Sequence, residues 1–104
     1  MSKAYAVLQF NLINPELFGN YIKVASSTLG AHGGKVIVAS ENSIPQEGSL
    51  STSRTTIIEF PSRDAALNWY NSTDYDKIKH LRHEATSHGS FILLDEFQRP
   101  NVKN

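Results

Sequence analysis

Alternation along two short runs constrains this chain more than any other feature. In Ala4–Asn11, residues Ala6, Leu8 and Phe10 fall on one face of an extended strand, and Tyr5, Val7, Gln9 and Asn11 on the other. In Arg54–Phe60, Thr56, Ile58 and Phe60 oppose Thr55, Ile57 and Glu59. The purer apolar sets call for a layer of helices. The opposite face gathers Tyr5, Val7, Gln9, Thr55, Ile57 and Glu59, with Ile37 and Ala39 from a neighbouring strand. That face is too apolar for water, and one helical layer leaves it bare.

The rest of the chain supplies that layer. Asn14-Pro15-Glu16 reads as an N-cap, a proline at the first helical position and a first-turn acid. Leu17, Phe18, Tyr21, Ile22, Ala25 and Leu29 follow at helical spacing, and Gly30 with Gly33-Gly34 ends the run. Lys35–Glu41 predicts a second strand. Glu41–Ser53, rich in Ser, Gly, Pro and Asn, predicts a loop or long hairpin connection. Ser62 is placed to cap a helix over Arg63–Asn71, and Ser72 a further helix over Thr73–Thr86 with Tyr75, Ile78, Leu81 and Ala85 as its stripe. Gly89 is expected to break that helix before a last strand, Phe91–Phe97. The order β-α-β-β-α-β predicts an α+β, ferredoxin-like sandwich: an antiparallel sheet with helices on one face. It forms a single domain over residues 1–97, followed by a polar tail over 98–104.

Composition decides what covers the bare face. Ten Lys/Arg balance ten Asp/Glu, which argues against a coat for nucleic acid or an anionic membrane. An RNA-binding sheet of this topology needs exposed aromatics in a basic, Gly-rich strand. Arg54–Phe60 has no glycine and puts Glu59 on the open face. A second copy of the chain, sheet against sheet, is the better cover, and charge balance eases it. The chain has no cysteine, so disulfides, thiolate metal sites and thiol nucleophiles are excluded. The first apolar stretch is too short for a leader or a membrane span, and the expected location is the cytoplasm. Asn71-Ser72-Thr73 then reads as a helix start rather than a glycosylation site.

The strand Arg54…Glu59-Phe60-Pro61-Ser62, followed by Ala66, Trp69-Tyr70, Ser72, Tyr75, Arg82 and a final Phe91-Ile92-Leu93-Leu94-Asp95, resembles the family known as domain of unknown function 1330. Asn14-Pro15-Glu16, Gly33-Gly34 and Glu47-Gly48 extend the resemblance over almost the whole chain. Asp74 and Asp95-Glu96 depart mildly from its pattern. The resemblance implies a ferredoxin-like homodimer of the dimeric α+β-barrel superfamily. It implies no reaction, although superfamily relatives include cofactor-free monooxygenases, haem-degrading enzymes and isomerases.

Candidate chemistry comes from carboxylate, His, Tyr and Arg side chains. Glu59 and Gln9 are expected on the covered face, where a carboxylate is costly unless paired. Arg54 and Arg82 are its candidate partners, and Glu59 the candidate base. Trp69, Tyr70 and Tyr75 flank the break between the last helices, either lining a pocket mouth or forming an aromatic core with polar tips. His32, beside Gly33-Gly34, either caps carbonyls or serves as an acid/base group. His83-Glu84-Ala85-Thr86-Ser87-His88 is one residue longer than a zincin motif. The extra residue turns His88 about 140° from His83 on an ideal helix. With Lys77, Lys79 and Arg82 interleaved, that stretch reads as a solvated basic face, and no metal is expected.

The resulting expectation is a homodimer with a small-molecule pocket beside the sheet and no cofactor. Glu59 or His32 would act as base, Arg54 or Arg82 would hold an anionic group, Gln9 would bind, and Trp69, Tyr70 and Tyr75 would form walls. The alternative is a non-catalytic dimerisation or interaction module whose buried polar groups fix register.

Overall fold

The computed structural model describes residues 2–98. Its elements are β1 (Ala4–Leu12), α1 (Pro15–Ala31), β2 (Lys35–Ser40), β3 (Arg54–Phe60), α2 (Arg63–Tyr70), α3 (Thr73–Asp76), α4 (Lys79–Ala85) and β4 (Thr86–Asp95). The strands make one antiparallel sheet in the order β2-β3-β1-β4. This is the expected ferredoxin-like order, with the second helical unit in three pieces. Most of the expected tail, residues 99–104, lies outside the described residues.

Local chemistry sets the ends of α1. The Asn14 side chain accepts from the Leu17 N–H at 3.0 Å, and Pro15 opens the first turn. At the other end the N–H groups of His32 and Gly34 both return to the Leu29 carbonyl, each at 3.0 Å. Gly33 takes φ +75°, and a Cβ on Gly34 would come within 2.7 Å of Leu29 and Phe60. Only glycine permits both the turn and the close approach.

Alternation places the faces of β1 and β3 as expected. Ala4, Ala6, Leu8 and Phe10 from β1, with Ile58 and Phe60 from β3, are buried under the helices. There they meet Phe18, Tyr21, Ala25, Leu29, Ala66, Trp69, Tyr75 and Ala85. On the other face, Tyr5 pairs with Leu94, and Val7 lies between Ile57 and Ile92. Ile92 and Leu94 are half exposed there.

Several expectations needed correction. A bulge in β2 sets Val36 opposite Ile58 but Val38 opposite Ile57. The extra residue, Ile37, flips the alternation, so Ala39 joins Thr56 on the helix side and Val38 replaces it on the open face. The helix expected over Thr73–Thr86 is broken at Lys77-Ile78, where the Ile78 and Leu81 N–H groups reach back only three residues, to Tyr75 and Ile78. These tighter turns end α3 and start α4 anew. Nor does Gly89 break a helix. The last strand already begins at Thr86, and a bulge on β4 absorbs one extra residue between Ser87 and Ser90, opposite Gln9–Asn11. His88, at φ 53°, sits in that bulge. Ile22 is exposed rather than buried.

Candidate functional site

A cavity of about 250 Å³ lies between α1 and the β1-β3-β2 part of the sheet. Leu8, Phe10, Phe18, Ile22, Ala25, Leu29, Val36, Ala39 and Ile58 give it mostly apolar walls. Ser26, Lys35 and Thr56 also border it, and the polar groups most committed to it are Tyr21, Arg54 and Arg82. Three of its lining residues are cations and none is an acid, in a chain of zero formal net charge. Positive charge is therefore concentrated here while the chain as a whole is balanced.

Arg54 opens β3 in the same register as Thr56 and Ile58, so its side chain turns under the helices. Its guanidinium carbon lies 5.3 Å from the centroid of the Phe18 ring. Its Nε is buried and, among the described residues, has no hydrogen-bond partner. Arg82 is buried on α4. Its Nε donates to the Tyr75 hydroxyl at 3.2 Å, and its Nη2 meets His83 Nε2 at 3.2 Å. Among the described residues neither arginine has a carboxylate within ion-pair distance. A buried guanidinium nitrogen without a partner, as at Arg54 Nε, is costly.

The hydroxyls of Tyr21 and Tyr75 lie 2.7 Å apart. Burial, then Tyr75, pushes the Tyr21 phenol well above its usual range, so it stays a neutral O–H. His83 is shifted the other way, below its usual value, first by burial and then by the positive charges of Arg82, Lys79 and His80. A neutral imidazole accepts the Arg82 proton. A continuous polar chain thus runs from Tyr21 through Tyr75 and Arg82 to His83. Its far end borders a second, more open and more polar cavity of about 280 Å³, lined by Tyr70, Arg82, His83 and the β4 bulge from Thr86 to Phe91.

Of the residues singled out in the sequence, Arg54 and Arg82 meet at the first cavity. Tyr70 borders the second, with the Lys79 ammonium 3.9 Å from its ring centroid. Trp69 and Tyr75 are fully buried and line neither. The rings of Trp69 and Tyr75 are 4.1 Å apart, and the Trp69 indole N–H donates to Thr28. Glu59 and Gln9 sit on the opposite face of the sheet. The expected pairing of Glu59 with Arg54 or Arg82 is overturned: both arginines lie on the helix side, and the Glu59 carboxylate instead meets Lys3 Nζ at 3.2 Å. His32 ends α1 through its backbone N–H and does not border the cavity. Among the described residues no three His, Asp or Glu side chains gather as a metal-ligand set, and no helix is long and apolar enough to cross a membrane.

Sequence reasoning missed Tyr21 and His83. Tyr21 looked like one more apolar stripe position, yet it is the only member of that stripe with a polar tip. His83 was hidden in a basic run, and only its adjacency to a buried arginine distinguishes it.

The family model described as domain of unknown function, DUF1330, matches residues 3–97. No curated protein matches the sequence. Among solved structures, the chain resembles a protein of unknown function from Rhodopseudomonas palustris, with 16% identity, TM-score 0.75, and 94% of this chain and 85% of that one covered. It also resembles a dimeric ferredoxin-like protein of unknown function from Thermobifida fusca, with 7% identity, TM-score 0.60, and 89% and 90% covered. A third likeness is to SnoaB, a cofactor-independent oxygenase from Streptomyces nogalater, with 10% identity, TM-score 0.61 and both chains covered in full. At such identities the likeness is one of fold.

Proposed function

The chain belongs to the DUF1330 family, whose description names no activity, and from that premise we propose that it is a homodimeric protein that takes a small, mostly apolar molecule into the cavity under α1. The observation that carries this reading is the buried, unpartnered Arg54 Nε at the wall of an otherwise apolar space. Such a group calls for a partner, and a ligand in the cavity supplies one. Arg54 and Arg82 are the groups that hold the molecule, and the reading needs no cofactor. Glu59 and His32, outside the cavity, are given no part in it. The fold of the Streptomyces oxygenase supports small-molecule chemistry on this architecture only by analogy.

The dimer is proposed to form through the open sheet face, where Val7, Val38, Ile57, Ile92 and Leu94 need a cover. Two experiments test the reading. A metabolite screen by thermal melting should give hits that Arg54→Met abolishes; a ligand at about 100 times its Kd adds about 2.7 kcal/mol. If no compound raises the melting temperature, or if Arg54→Met leaves every hit intact, the cavity is not a binding site. In sedimentation, the wild-type chain should run at twice its 11.6 kDa mass and Ile57→Lys at the single mass. A wild-type monomer would defeat the dimer.

A further inference from the structure

We propose that the ligand of this cavity is an ionised carboxylic acid with a small apolar body, and that the Tyr21 hydroxyl is the donor that selects it. The inference rests on the cavity being a binding site, as assigned above. It starts from hydrogen-bond direction. Arg82 can only donate, so the Tyr75 oxygen accepts from it. The Tyr75 and Tyr21 oxygens lie 2.7 Å apart and either hydroxyl can donate to the other; an acceptor in the cavity favours the arrangement in which Tyr75 donates to Tyr21. That leaves the Tyr21 proton for the cavity, which Tyr21 borders. Tyr21 is held neutral by burial, so it keeps this proton.

The groups committed to the cavity, Tyr21 O–H, Arg54 Nε–H and the Arg82 guanidinium, are then donors, while the bordering Ser26 and Thr56 hydroxyls can donate or accept. The wall has no Asp, Glu or His to accept in return. A carboxylate is acceptor-only and anionic, and it satisfies such a set. A primary amide of the same shape brings an NH₂ against donors and leaves a buried cation uncompensated. The cavity's 250 Å³ lies just below the range of drug-sized pockets, about 300–1,000 Å³. Its remaining wall, including Leu8, Phe18 and Ile58, suits a compact hydrocarbon or a single ring.

The test is calorimetric titration of the full chain with benzoate, phenylacetate and hexanoate, each matched to its primary amide, at neutral pH. At least one acid should bind, about 10-fold or more tighter than its amide. Tyr21→Phe keeps the ring, so its fold is checked by melting. It should weaken the acid about 10-fold and leave the amide unchanged. Equal binding of acid and amide would overturn the carboxylate assignment while leaving the cavity a binding site. Equal loss of both in Tyr21→Phe, or no loss, would overturn Tyr21 as the selector. If no acid and no amide binds and a neutral ring such as toluene also fails, the binding-site assignment itself falls.

Discussion

The helical layer is filled at one end and hollow at the other. Over Phe60 and Phe91, Trp69 packs with ring centroids 5.5 and 6.1 Å away, and Tyr75 closes on Trp69 at 4.1 Å. The Trp69 indole N–H donates to Thr28, and the Tyr75 hydroxyl meets Tyr21 and Arg82. Under α1, by contrast, small Ala25 on the helix and Ala39 on β2 leave a cavity with the unpartnered Arg54 Nε at its wall. The first arrangement maximises burial and fixes the fold. The second gives up packing and leaves a polar group unsatisfied. Stability and function are expected to separate along this line.

The largest test falls on the filled half. Trp69→Ala should lose about 3–5 kcal/mol of unfolding free energy, measured by urea titration. A loss under 1 kcal/mol would mean that this half is no better packed than the other. The hollow half should behave oppositely. Arg54→Met keeps a flexible apolar stem and removes the unsatisfied Nε, so stability should rise by about 1–2 kcal/mol while ligand binding disappears. A destabilised Arg54→Met protein would show that the arginine is structural. Next, Ala25→Leu puts carbon into the cavity and should add about 1 kcal/mol or less, again with loss of binding. If it destabilises instead, the space is already filled by relaxation of its walls.

Much of the helical layer and of the sheet face it covers was legible in the sequence, because burial there follows simple periodicity. The alternation in β1 and β3 identified which residues meet the helices, and the Asn14, Ser62 and Ser72 caps marked three helix starts. Each of those side chains accepts a backbone N–H. The hollow half was less legible. Its wall depends on the β2 bulge, which turns Ala39 inward, and an extra residue of this kind leaves no compositional mark. Arg54 was expected to bind, but as a partner of Glu59, which lies on the other face. The same alternation that placed Thr56 and Ile58 would have placed Arg54 with them and separated it from Glu59. Tyr21 meets Tyr75 across a sequence separation of 54 residues, and Arg82 joins them there, which no local pattern encodes.

The smallest effect concerns the polar chain that joins the two cavities. His83 has a folded-state pKa below the 6.5 of a free histidine. The folded protein thus binds the proton more weakly than the unfolded chain. The contribution is fully present above about pH 6.5 and is lost as pH falls through that value toward the folded pKa. His83 is exposed, so solvent screening keeps the stability change under about 1 kcal/mol. Ligand affinity is the sharper readout, because a protonated imidazole releases the Arg82 N–H and adds a positive charge that an anionic ligand offsets. Asp95 does not confuse the measurement. Its hydrogen bond from Arg63 holds its carboxyl below the usual value, so its contribution is lost only as pH falls further, below about 4. Affinity for a strong acid that stays ionised throughout, such as a sulfonate, should therefore rise as pH falls below about 6.5 in the wild type. In His83→Gln, whose amide oxygen still accepts from Arg82 but does not titrate, it should stay flat. A flat wild-type profile would uncouple the surface histidine from the hollow half.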